Sequence, residues 1–171
     1  IQMPAVTQFS DGSGPIFGGS IFPFVFITIA CGAISGFHAL ISSGTTPKLI
    51  DNEKHIPMIG YGGMLLESFV AIMAIVAACV LEPGIYFAIN SPAGIVGSEP
   101  SEVISKINSW GFSVTLEQMN QLASDVGESS LFARTGGAPS LAVGMATIFA
   151  NAFGKHLLAM WYHFAIMFDA V

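Results

Sequence analysis

The chain has 171 residues, 53% hydrophobic and only 9% charged, with a net charge of −6 and a mean hydropathy of +0.70. Soluble domains carry about a quarter charged residues, so this composition excludes an ordinary soluble domain and points to a membrane protein. The negative charge sits mostly in the polar connections, which argues against a nucleic-acid partner and says little about substrate. Cys31 and Cys79 both fall within apolar segments, which leaves no disulfide framework. The chain starts at Ile1 without an initiator methionine and stops at Val171 inside an apolar run, so a piece of a longer, multi-pass protein is expected.

Residues 1–20, with Gly12, Gly14, Pro15, Gly18 and Gly19 and no basic residue, read as a connecting or re-entrant loop. From 21 to 43 the ionisable groups are Cys31 and His38, and about 1.5 Å of rise per residue lets this stretch span a roughly 30 Å hydrocarbon core. Thr28, Cys31, Ser35, His38 and Ser42 recur at three- and four-residue steps and share one helix face, while Ile27, Ile34, Phe37 and Ile41 lie largely away from it. Gly44 is expected to end that helix and Thr46-Pro47 to restart one, with Thr46 as N-cap and Pro47 at the first helical position. The polar run 44–57 holds Lys48, Lys54 and His55 against Asp51 and Glu53, which suggests a cytoplasmic turn and completes a segment of 21–57.

A second span is predicted over 58–81. Gly60, Gly63, Glu67, Ala71, Ala74 and Ala78 form one stripe of it, so Glu67 is expected to face another helix rather than lipid. Glu82-Pro83-Gly84 marks a boundary, and 85–97 reads as a short re-entrant or interfacial piece that closes a segment of 58–97. The stretch 98–137 is acidic, water-facing and expected to be periplasmic. It carries short amphipathic helices near 101–110 and 115–126, the second with Leu116, Met119 and Leu122 on one side. The segment 138–171 opens with an apolar helix over 139–154 that aligns Ser140, Gly144, Thr147, Asn151 and Gly154 toward the protein interior. A further helix begins at Leu157 and carries Trp161, His163 and Asp169.

His38 and Glu67 are the intramembrane groups able to handle a proton. An imidazole titrates near neutral pH and can carry a coupled proton or donate to a substrate carboxylate, whereas a plainer role is a histidine satisfied by a neighbouring carbonyl. A carboxylate in hydrocarbon is costly when charged, so reversible protonation of Glu67 is expected; its plainer role is to bond two helices. Ser42, Thr45 and Thr46, with Lys48 beside them, place hydroxyls and backbone N–H groups at a new helix start, where partial positive charge suits a carboxylate ligand. A capped turn is the alternative. Arg134, ahead of the Gly136-Gly137 pair, presents a cation at another helix start and reads as a gate or anion relay, or as an interfacial anchor. His163 and Asp169 do not share a helix face.

A different class of function rests on Ala33-Ile34-Ser35-Gly36, which is similar to the Gly-x-Ser-Gly of rhomboid-type intramembrane serine proteases, with His38, His156 or His163 as base. The first glycine is missing, Ser35 and His38 fall on one helix, and no HExxH motif occurs. An intramembrane hydrolase and a non-transporting scaffold or sensor are the alternatives to transport. A scaffold predicts tolerance of Glu67→Gln and His38→Ala.

At CGAISGFHALISSGTTPK (31–48), GYGGMLLESFVAIMA (60–74), NSPAGIVG (90–97), ARTGGAPSLAVGMA (133–146) and WYHFAIMFDA (161–170) the chain resembles the carbon starvation protein A family of bacterial inner-membrane transporters. The blocks cover nearly all of the chain except 98–130, and their ordered run is far more specific than any one of them. Asp169 stands where relatives have Glu, and Thr147 where they often have His. The family is much longer, so the resemblance implies an internal fragment, multi-pass in the inner membrane. It implies an all-α fold: part of a polytopic transmembrane helical bundle with broken or re-entrant helices, related to the amino acid-polyamine-organocation transporters, whose substrate sites lie at broken helices near the midplane. It also implies proton-driven uptake of a small nutrient, pyruvate or short peptides, rather than enzymatic activity.

The expected site combines these readings. Ser35, His38, Ser42, Thr45 and Thr46 contact a small organic anion or peptide, Lys48 or Arg134 meets its carboxylate, and Glu67, with His38, carries the proton. No cofactor or metal is called for. The expected partners are the substrate, protons, the lipid bilayer and the remaining helices of the longer protein.

Overall fold

The computed structural model describes the backbone of residues 1–34 and 40–169, and the side chains of 1–34 and 40–167. Among the described residues the chain is helical with irregular connections and no strand. It divides into two compact units, one of Gln8–Ala71 and one of Ile1–Thr7 together with the residues from Ile72 onward.

The first unit opens with a 3-10 turn, Gln8–Asp11. Gly12 follows at φ +94° and accepts from Gly19 N–H at 2.9 Å, closing the glycine-rich loop on itself. A Cβ at Gly12 would lie 2.6 Å from the Gly19 carbonyl oxygen, so the close approach and the positive φ both require glycine here. Helix α1, Ile21–Ile34, is apolar on every side and buries none of its residues. Thr28 Oγ1 makes a local contact, donating to the Phe24 carbonyl at 3.0 Å.

Gly44 does not end a helix. From Leu40 the chain winds through a π-helical turn, Ile41–Thr45, directly into α2, Thr46–Leu49. Thr46 is itself helical (φ −55°, ψ −44°), its N–H donates to the Ile41 carbonyl, and Thr45 takes the N-cap position. The cause is Pro47, which has no N–H to offer the carbonyl four residues back and whose ring crowds it; widening the turn by one residue accommodates both. The helix ends instead at Ile50, where the backbone becomes extended.

Asn52 accepts from Lys54 N–H at 2.9 Å and caps a 3-10 turn, Glu53–His55, that leads into α3, Ile56–Val80. The predicted second span is thus one helix of 25 residues. Counted with its 3-10 start it runs Glu53–Val80, with a mean hydropathy of 2.3 over its most apolar window. Among the described residues it is the helix long and apolar enough to cross a membrane, while α1 and the later Ala138–Phe153 are shorter.

The second unit has a core of its own. Its N-terminal stretch caps α3, since Gln2 N–H and Met3 N–H both donate to the Cys79 carbonyl, at 2.8 and 3.3 Å. Past the Glu82-Pro83 boundary come α4, Pro83–Asn90, and α5, Ala93–Val96. Gly84 packs against the Ser113 carbonyl with no room for a Cβ, and Phe87, Ala88, Ile89 and Asn90 are buried. Helix α6, Pro100–Ser109, turns Val103 and Ile107 inward. Asn108 then pins the next loop by accepting from Val114 N–H at 3.0 Å and donating to its carbonyl at 3.1 Å.

Helix α7, Leu116–Val126, starts from a capping box in which the Thr115 hydroxyl and Gln118 side chain bond each other's backbone N–H groups. Its inward face is Met119, Ala123 and Val126, not the expected Leu116, Met119 and Leu122; Leu116 is 42% exposed. Small Ala123 allows closer packing than a leucine would, which outweighs the greater apolar area of the leucines. The stretch 98–137 carries two short amphipathic helices whose inward faces are packed.

Helix α8, Ala138–Phe153, approaches α3 closely through Gly144, where an added Cβ would lie 2.6 Å from the Ala77 carbonyl oxygen. Of the residues expected to line up inward on α8, Ser140 and Gly144 are buried, Thr147 is half-buried and Asn151 is exposed. After a 3-10 turn, Lys155–Leu157, α9, Leu158–Asp169, buries Tyr162 and Ala165.

Candidate substrate and proton site

Ser35 and His38 lie outside the described residues. Of the remaining expected substrate contacts, Ser42 and Thr46 stand one helical turn apart and line the same cavity of about 630 Å³, together with Pro47, Asp51, Glu53 and the apolar Ile56 and Ile59. The π-turn sets that spacing. Thr45 and Lys48 are exposed and do not line the cavity. The N–H of Thr46 is already committed to Ile41, so its contribution to a ligand comes from the side chain. Asp51 and Glu53, read from sequence only as loop charges, belong to the cavity wall. Their negative charge favours a donor or cation there and opposes an unaccompanied carboxylate.

Glu67 lies near the middle of α3, exposed, with exposed Leu65, Leu66 and Phe69 around it. It makes no ion pair among the described residues. On the same stripe, a Cβ added at Gly60 or Gly63 would meet nothing within 4 Å, so the chain leaves this small-residue face open.

Arg134 belongs to the other unit. There Gly127, at φ +79°, ends α7 and turns Glu128 back, so that Glu128 N–H donates to the Ala123 carbonyl at 2.8 Å. The returning chain is tied down by Ala133 N–H donating to the Ala88 carbonyl at 3.0 Å. This brings Arg134 Nη1 to 3.0 Å from Glu128 Oε2. The hydrogen bond that the guanidinium donates to Glu128 holds it above its usual range, outweighing the opposing effect of burial. Sequence reading placed Arg134 as a cation for substrate and missed Glu128 as its partner; opposite charges flanking a short turn after a helix-ending glycine were the available signal. An incoming anion would share the guanidinium with Glu128, which holds Nη1. Buried Tyr162 of α9 lies within electrostatic reach of both, and its hydroxyl interacts with each of them.

Asn90 and Ser140 are both polar and buried, and they are paired with each other. Asn90 Nδ2 donates to Ser140 Oγ, joining the end of α4 to the start of α8, and also to the Tyr86 carbonyl at 3.3 Å. Thr147, singled out from sequence, spends its hydroxyl proton on the Val143 carbonyl at 2.8 Å.

A family model described as carbon starvation protein CstA matches residues 1–171. The chain is 57% identical, over its whole length, to the peptide transporter CstA of Escherichia coli, of which it covers 25%. It is likewise 57% identical to the peptide transporter CstA of Campylobacter jejuni, covering 25% of that protein. To the pyruvate/proton symporter BtsT of Escherichia coli it is 51% identical over its whole length, covering 27%. It thus spans about a quarter of the length of these curated relatives. No solved structure matches it. The match along all 171 residues, at this identity, places the chain in the carbon starvation protein CstA family.

Proposed function

We propose that this chain is part of an inner-membrane, proton-coupled secondary transporter that takes up a small nutrient, pyruvate or a short peptide. The observation that carries the reading is Glu67, a lone carboxylate midway along a 25-residue apolar helix, in a chain similar to a protein named a pyruvate/proton symporter. Protonating Glu67 removes the penalty of holding a charge against lipid or an apolar helix face, and so shifts the balance between inward- and outward-open states. A substrate that prefers one of those states is then linked to the proton through the shared equilibrium.

Ser42 and Thr46 are the proposed substrate contacts that one cavity wall supports, with Ser35, His38 and Thr45 from the same stretch. Lys48 and Arg134 are the proposed partners for a substrate carboxylate, Arg134 shared with Glu128. His38 is the second proposed proton group. The protein is a membrane transporter rather than an enzyme in this reading, with lipid and the remaining helices of the longer protein completing its surface.

The test is substrate-dependent proton uptake in vesicles holding the full-length protein, with pyruvate and alanyl-alanine offered in parallel. Glu67→Gln is expected to abolish proton movement while substrate still binds, and His38→Ala to weaken it. Normal proton-coupled uptake by Glu67→Gln would assign the carboxylate to helix packing and leave His38 as the carrier.

A further inference from the structure

Helix α3 with its 3-10 start, Glu53–Val80, has 28 residues, and about 1.5 Å of rise per residue makes it roughly 40 Å long. That matches a bilayer counted with its headgroup regions, about 40–45 Å, so Val80 and the residues just past it stand at headgroup depth. There, within the unit that runs on from Ile72, Val80 and Glu82 join the wall of a cavity of about 420 Å³. Its apolar side includes Leu81, Val143 and Leu158. Its charged groups come from three elements: Glu82 precedes α4, Asp125 lies in the last turn of α7, and Lys155 opens the turn after α8.

All three are exposed, and they do not pair with one another. Among the described residues the ion pair formed is Glu128 with Arg134, and Asp125 is held by a neutral donor, Gln121 Nε2, at 2.6 Å. Asn151 on the same wall adds an amide donor to that of Lys155. Two carboxylates and one ammonium beside an apolar surface repel a simple anion, and a simple cation leaves Lys155 without a partner. The molecule at headgroup depth that carries an ammonium, an anion and an apolar body together is a zwitterionic phospholipid. A primary ammonium donates three N–H groups to carboxylates, whereas a trimethylammonium donates none.

We propose that this cavity is a lipid site for a phospholipid with a primary-ammonium headgroup, such as phosphatidylethanolamine. Glu82 and Asp125 receive the ammonium, Lys155 and Asn151 receive the phosphate, and Leu81, Val143 and Leu158 meet the apolar body. A lipid held this way bridges the end of α3, the end of α7 and the turn after α8, and makes their association depend on the headgroup that surrounds them. The site is separate from the substrate and proton groups proposed above; it rests on the reading of α3 as a helix that crosses the bilayer.

The experiment is native mass spectrometry of the full-length protein in detergent. The ligands are phosphatidylethanolamine, phosphatidylcholine and phosphatidylglycerol with the same acyl chains, and glycerophosphoethanolamine as the free headgroup. The wild type should retain the ethanolamine lipid about tenfold better than the choline lipid, the loss expected for one charge-assisted hydrogen bond. Phosphatidylglycerol, an anion without an ammonium, should be retained more weakly still. Glu82→Gln combined with Asp125→Asn should bring the ethanolamine and choline lipids close to equal. Lys155→Met should weaken both by a similar factor and keep their ratio, because both carry the phosphate. These ratios are read within one sample, so the folded fraction of a variant does not alter them. The proposal is overturned if the wild type retains the ethanolamine and choline lipids equally or prefers phosphatidylglycerol, or if the double variant leaves the ratio unchanged. It is also overturned if the free headgroup binds as tightly as the lipid, which would assign the cavity to a soluble phosphodiester. A protein that retains no lipid of any kind overturns the membrane reading of α3 together with this site, whereas the other outcomes overturn the site alone.

Discussion

The two units solve the problem of an apolar sequence in opposite ways. From Ile72 onward, core residues such as Ala88, Ile89, Val103, Ile107, Met119 and Tyr162 are essentially inaccessible, and amphipathic helices turn their charged sides outward. In Gln8–Ala71 the apolar side chains face out: Phe22 is 73% exposed, Ile34 81% and Met58 80%. A monomeric soluble protein rarely leaves so much apolar surface uncovered, so the second pattern is that of helices whose neighbours are lipid or other helices. One unit buries its own core, and the other is a surface awaiting cover. A candidate proton carrier on the second kind of surface, Glu67, takes its environment from whatever covers it.

The sharpest way to break this comparison is to put a side chain where the packed unit has none. Gly144→Leu places a Cβ 2.6 Å from the Ala77 carbonyl oxygen, a backbone atom with nowhere to move. It should force α8 away from α3 and destabilise the full-length protein by about 3 kcal/mol or more. The readout is a steep loss of folded yield and of thermal stability in detergent. Wild-type stability in this variant would mean that the two helices do not meet at Gly144.

A smaller and more informative effect is expected at Gly63, where a Cβ meets nothing within 4 Å. In isolation Gly63→Ala should gain about 1 kcal/mol of helix propensity. If another helix of the full-length protein covers the stripe of Gly60, Gly63 and Glu67, the same change should lower its melting temperature, because small residues there let backbones approach. The second sign is the one expected, since it is the covered stripe that gives Glu67 a protein partner. A raised melting temperature would turn that face, and Glu67 with it, toward lipid.

The sequence made some of this legible and hid the rest for physical reasons. Helix α3 could be read because a long apolar run ends at Glu82-Pro83, and α7 because Thr115 and Gln118 form a capping box at the standard spacing. The inward face of α7 was misread because hydrophobicity favours Leu116 and Leu122, whereas close packing favours Ala123. At the π-turn Ile41–Thr45, Gly44 and Pro47 signal a disturbed helix, but not whether the chain stops or widens. At the candidate site, the four-residue step from Ser42 to Thr46 was visible, while the inclusion of Asp51 and Glu53 in one cavity depended on how the following loop folds. The Asn90 to Ser140 bond joins residues 50 apart and carries no local signature at all.

The smallest expected effect lies in the loop that opens the exposed unit, and it tests whether that unit has any order of its own without cover. Asp11 accepts from Ser13 Oγ at 2.6 Å and from Ser13 N–H at 2.9 Å. These bonds, the side-chain one first, hold its carboxyl below the ordinary value. A depressed folded-state value means that the contact stabilises the loop above the unfolded value, about pH 4, and that this contribution is lost as pH falls through the lower folded value. The carboxyl carbon of Asp11, assigned by difference against Asp11→Asn in isotopically labelled full-length protein, should therefore titrate below an ordinary aspartate. Ser13→Ala removes the stronger bond and keeps the backbone one, so the midpoint should move part of the way back. A midpoint at the ordinary value in the wild type would show that the turn is unformed, and that the exposed unit depends on its surroundings even for local order.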